Sequence, residues 1–192
     1  MSGTVIGRSL NYGYVGKISR NVDNIVTSRF VKSILDGNGA ETLLAIPFGK
    51  PVVINTDNTF SKWGDSGSGV SSPALAVFAG IAVGEVKQMT TYGNVSAAGQ
   101  YEPAQPCDVL ERGSTTVYCT DYANNAPTAG GKVYACTVKG NGSLTLGDFY
   151  ATATPTGIGS GTVIELTNMK WKTGKVDANG VAEVTIHSRN QV

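Results

Sequence analysis

Apolar residues in this chain come in short runs, broken every few residues by Gly, Pro, Asn or Asp, and they rarely recur at helical spacing. Residues 43–46 lead into Ile46-Pro47-Phe48-Gly49-Lys50-Pro51-Val52-Val53, and Asn55-Thr56-Asp57-Asn58 then supplies a turn. Pro47 and Pro51 cannot donate to a ladder, which places this stretch at a sheet edge or beside a bulge. Residues 75–86 are continuously apolar and predict a strand buried on both faces, with Gly80 marking a bend or a close backbone approach. Short strands are predicted at 109–110, 116–120, 132–138 and 143–146. Arg112-Gly113, Ala129-Gly130-Gly131 and Gly140-Asn141-Gly142 read as the turns between them. Residues 161–171 and 181–188 form a C-terminal pair of strands. In the last strand Ala182, Val184 and Ile186 point inward, Glu183, Thr185 and His187 point outward, and Asn179-Gly180 offers positive φ for a hairpin turn.

The N-terminus follows another pattern. Residues 1–28 are rich in Gly, Ser, Asn and Tyr without sustained period, and predict an extended arm. Phe30, Val31, Ile34 and Leu35 have helix-like spacing, ended by Asp36-Gly37-Asn38-Gly39; one helical turn and a short strand both fit. Many short strands at close spacing predict an all-β chain with little helix: one β-sandwich or β-barrel, jelly-roll-like, over 29–192, behind an arm at 1–28.

Composition sharpens this picture. Glycine supplies 25 of 192 residues and charged residues only 15%, which favours strands and tight turns. Net charge is +1, so no strong field draws the chain to nucleic acid or a membrane. Residues 1–32 nevertheless carry Arg8, Lys17, Arg20, Arg29 and Lys32 against Asp23 alone, as an arm lying on another protein would. Cys107, Cys119 and Cys136 match no zinc or redox spacing and read as free thiols from a reducing cytoplasm, with Cys119 and Cys136, inside strand-like runs, expected in the core. No signal peptide is evident, and the longest apolar stretch is too short for a bilayer.

Candidate chemistry is thin. Gly64-Asp65-Ser66-Gly67-Ser68-Gly69 resembles the nucleophile loop of chymotrypsin-like proteases. A serine nucleophile needs a histidine base and a carboxylate to orient it. The chain has one histidine, His187, placed on the exposed face of a terminal strand, so a flexible Gly/Ser loop is the better reading. Scattered Cys and carboxylates suggest no metal set, Gly49-Lys50-Pro51 is no phosphate loop, and no cofactor or catalytic residue is expected. Trp171, between Lys170 and Lys172, is expected to face the core. Trp63, in the Gly/Ser loop, is the exposed aromatic, available to a protein partner or a sugar.

Three phrases stand in order: Ile46-Pro47-Phe48-Gly49 with Val52-Val53; Phe78-Ala79-Gly80-Ile81-Ala82-Val83; and Asp108-Val109-Leu110-Glu111-Arg112-Gly113 leading to Val117-Tyr118-Cys119. Together they resemble the structural cement, or head decoration, proteins of tailed bacteriophages over residues 40–120. The resemblance implies a non-enzymatic protein, made in the bacterial cytoplasm, on the outer surface of the virion head. Its partners would be the major capsid protein and copies of itself, as dimer or trimer, with no nucleic acid and no membrane. The expected capsid contacts are Arg8, Tyr12, Tyr14, Lys17 and Arg20 on the arm, Phe48 and Lys50 at an edge strand, and Trp63. A tail or fibre component and a carbohydrate-binding β-sandwich module are the competing readings.

Overall fold

A computed structural model describes residues 12–19, 23–64, 77–84 and 99–189. It is nearly all β, 44% strand and 1% helix, with a curled antiparallel sheet that forms a half-barrel. The strands are β1 (Ile25–Phe30), β2 (Ile46–Pro47), β3 (Pro51–Ile54), β4 (Phe60–Lys62), β5 (Phe78–Ala82), β6 (Gln100–Tyr101), β7 (Pro106–Tyr118), β8 (Lys132–Val138), β9 (Phe149–Tyr150), β10 (Thr162–Trp171) and β11 (Val181–Ile186). The main sheet runs β4-β3-β5-β7-β11-β10-β8-β9; β1 also pairs with β7, and β2 with β6.

One strand organises the sheet. β7 is 13 residues long and continuous through Arg112-Gly113, which the sequence had suggested as a turn. Its first half pairs with β1, as in Val26↔Leu110, and with β5, as in Ile81↔Leu110. Its second half pairs with β11, from Ile186↔Gly113 to Val181↔Tyr118. Gly113 lies between the two halves at φ 124°, where a side chain would be strained and would meet Asn24 Oδ1. Beyond β7, Thr120 N–H donates to Phe149 O (2.8 Å), and Cys119 bridges Phe149. The far edge of the curl is thereby returned to the chain that began it, which leaves fewer unpaired groups along β9.

Core side chains fill the curl. Trp63, Phe78, Ile81, Val117, Leu166, Met169, Trp171 and Val184 share one cluster, with Trp63 and Phe78 edge to face at 5.9 Å. A second cluster, with Val31, Ile46, Val52, Phe60 and Val109, lies among β1 to β5 and the first half of β7. Each fully buried large side chain contributes about 1.5–3 kcal/mol relative to exposure.

Several expectations hold in detail. β8 spans the expected residues and Trp171 is fully buried; of the strand expected at 75–86, residues 75–76 and 85–86 lie outside the described residues, and the described part forms β5 over Phe78–Ala82. Pro51 opens β3 beside an irregular register at Val52/Val53, so its missing N–H costs no central ladder bond. Other expectations need correction. Residues 143–146 are not a strand, and the pairing falls to Phe149–Tyr150. Residues 25–30 form strand, so pairing begins inside the segment expected to be arm. Glu183, expected outward, is 3% exposed, because β11 lies between β7 and β10 and Lys172 reaches across it. At the 177–181 turn only Gly180 has positive φ. Asp177 Oδ1 closes the loop by accepting from Asn179 N–H (2.8 Å) and Val181 N–H (2.9 Å).

Gly80 illustrates the close approach expected of it: a Cβ there would sit 2.2 Å from Leu110 O. Gly80→Ala must part β5 from β7 and is expected to cost about 3 kcal/mol in denaturant unfolding. Gly37→Ala, with nothing within 4 Å of the new methyl, should change stability by less than ~0.5 kcal/mol. Burial raises all three thiols, Cys119 to about 12, and nearby carboxylates add to this. Thiolate is therefore scarce at pH 8, and a disulfide reagent should titrate three thiols only after unfolding.

Candidate functional site

The described part of the arm, residues 12–19, is bound to its own body. Gly16 N–H donates to Thr116 O (2.7 Å), Ser19 N–H to Ser114 O (2.8 Å), and Thr116 N–H to Lys17 O (3.1 Å). The hydroxyls of Thr115 and Thr116 donate to Lys17 O (2.9 Å) and Tyr14 O (2.6 Å). Tyr14 OH donates to Gly84 O (3.0 Å), and Tyr12 N–H donates to Asp177 Oδ2 (3.1 Å). Tyr12 and Tyr14 are half-buried and Lys17 is exposed; Arg8 and Arg20 lie outside the described residues.

This docking unites two sets of candidates. Gly16 N–H bonds β7, Gly16 O accepts from Gly84 N–H (3.2 Å), and a Cβ on Gly16 would fall 2.7 Å from Gly49 N and 2.8 Å from Phe48 Cβ. The arm thus lies directly on the Phe48-Gly49 turn, and both glycines, at φ 79° and 74°, are needed for the fit. Phe48 is only 8% exposed and packs on Tyr101, ring centroids 5.1 Å apart. Lys50 forms an ion pair with Asp148, whose second oxygen accepts from Thr120 Oγ1 (2.9 Å). Trp63, expected to be exposed, is 1% exposed, and its Nε1 donates to Cys136 O (2.8 Å). The aromatic ring fills the core, and sequence context alone had suggested a loop.

One group of uncovered apolar side chains was missed. Among the described residues, five of the seven exposed large hydrophobics, Val26, Phe30, Ile34, Leu35 and Leu44, fall between 26 and 44. β1 alternates half-buried and exposed, which turns Val26 and Phe30 outward. Residues 33–42 then project as a hairpin, with Thr42 N–H donating to Ile34 O (2.9 Å). Two carboxylates brace it. Asp36 Oδ1 accepts from Asn38 and Ala40 N–H, both at 2.8 Å. Glu41 accepts from Ser33 Oγ (2.5 Å) and from the N–H groups of Ile34 and Leu43. The Ser33 bond and then the backbone donors hold the Glu41 carboxyl below its usual range, so the brace is in place at neutral pH. The signal was present as Asp36-Gly37-Asn38-Gly39. Apolar spacing before it fitted one helical turn or a short strand.

Among the described residues, no three His, Cys, Asp or Glu side chains gather as metal ligands, and no helix is long and apolar enough to cross a membrane. His187 is exposed. Asp65, Ser66, Gly67, Ser68 and Gly69 lie outside the described residues.

Three comparisons bear on the chain as a whole. No curated protein matches the chain. A solved chain from the capsid of the Myoviridae phage XM1 superposes with TM-score 0.62 at 16% identity, over 97% of this chain and 98% of that one, and so shares its fold. A family model described as XM1 gp53 minor capsid protein matches residues 3–186. With nearly its whole length matched, the chain belongs to the XM1 gp53 minor capsid protein family of phage structural proteins.

Proposed function

We propose that this capsid-associated protein is a cement, or decoration, protein that binds the outer surface of the assembled head and clamps neighbouring major capsid subunits. One observation carries the reading. Large apolar side chains are left uncovered on β1 and on the braced 33–42 hairpin, with Phe30 and Leu35 both 62% exposed. Scattered surface apolar residues need no explanation, but a concentration in one sequence segment marks an interaction surface. A rigid hairpin presents them without the ordering cost of a flexible loop. Modest contacts of this kind gain strength when repeated across a lattice. The basic side chains of the arm, Lys17 at its exposed part together with Arg8 and Arg20, are a second proposed contact.

The test is co-sedimentation of the full chain with emptied, expanded phage heads. Phe30→Ser with Leu35→Ser should weaken binding by tenfold or more, on the order of 1–2 kcal/mol from each side chain. Thermal unfolding should barely move, since both side chains already face solvent. Binding equal to that of the unmodified chain would remove this surface from the reading. Virion density for the protein on the tail and not on the head would remove the head-clamp role altogether.

A further inference from the structure

Leu44, Lys62, Trp63, Gly64, Lys139, Thr145 and Leu146 line a cleft of about 230 Å³. Most of its lining is apolar. The only polar atom of the Trp63 ring is already used on Cys136 O, and Leu146 packs over Gly64. Its charged residues are cationic: Lys62 ends β4 and Lys139 follows β8, so two distant parts of the chain bring lysines to one cleft. Among the described residues neither has a carboxylate within ion-pair distance. Two like charges lining one cleft without a counter-charge favour an anion there.

We propose that this cleft is a seat for a carboxylate-bearing side chain and its apolar neighbour on an extended segment of the shell protein, a proposal that rests on the shell-binding reading above. Its volume is below that of typical small-molecule sites and suits one or two side chains. A mostly apolar lining that carries two lysines matches a Glu or Asp flanked by an aliphatic residue. A phosphodiester backbone, charged at every repeat, has nothing to offer the apolar part. Leu44, 55% exposed, belongs both to this lining and to the exposed apolar residues of the 26–44 segment, which links the seat to the proposed contact.

The experiment uses the full chain and DNA-free heads. Lys62→Gln with Lys139→Gln should weaken co-sedimentation about tenfold, and Lys62→Glu with Lys139→Glu further still. Binding by the unmodified chain should fall with added salt, and the double Gln variant should show a weaker dependence. Thermal unfolding of both variants should match the parent, because neither lysine holds a partner within the fold. Carbodiimide treatment of decorated heads should link Lys62 or Lys139 to a shell carboxylate, read by mass spectrometry. If the double Glu variant sediments as the parent does, with the same salt response, the seat is overturned and the clamp reading stands. A parent chain that does not sediment overturns both. Self-association of the free parent that the double variant lacks would make a second copy the occupant and overturn the shell segment.

Discussion

The fold depends on one hydrogen-bonding constraint: β7 must satisfy both its edges along 13 residues with different partners above and below Gly113. Below it, β1 and β5 flank the strand. Above it, β11 takes one edge, and residues 16–19 of the arm take groups at Ser114 and Thr116. A buried strand cannot leave these groups unpaired, because each orphan costs about 1–3 kcal/mol. The arm is therefore structural where it is described: it completes the sheet. At Gly16 it also ties the second half of β7 to Gly84 and to the Phe48-Gly49 turn, closing the seam between the two halves.

Much of this architecture was legible in the sequence, for identifiable reasons. The strands at 132–138, 162–171 and 181–186 carry β-branched and aromatic residues bounded by Gly and Asn, and their identification needed only local pattern. The close approach at Gly80 was readable because a lone glycine in an apolar run has few other uses. Arg112-Gly113 misled because the same residue that permits a turn also permits a strand to bend against a neighbour, and Asn24, the neighbour, is far away in sequence. Glu183 misled because alternation assumes one wet face, which a strand between two others need not have. Trp63 misled because it was read with its Gly/Ser neighbours in sequence, whereas the carbonyl its ring bonds lies on β8.

The candidate surface was less legible than the fold. Burial and exposure of apolar residues give the same letters, and only the folded chain separates Val31, at 2% exposure, from Phe30 beside it, at 62%. Membership of a minor capsid family places the protein among the structural components of a virion. What the described residues offer is a paired sheet with a braced projection.

The pairing of the arm has a kinetic consequence. Lys17 and Thr116 are 99 positions apart, and the seat between them also needs Gly49 and Gly84 in place. Contacts of such long sequence separation form late, because the intervening loop must first be closed at an entropic cost. Until β7 has acquired its other neighbours, its upper edge stands open to any extended segment that reaches it, including the same arm from another copy of the chain. Crowded synthesis thus favours strand exchange between molecules, and dilute, slow refolding favours the self-contained monomer.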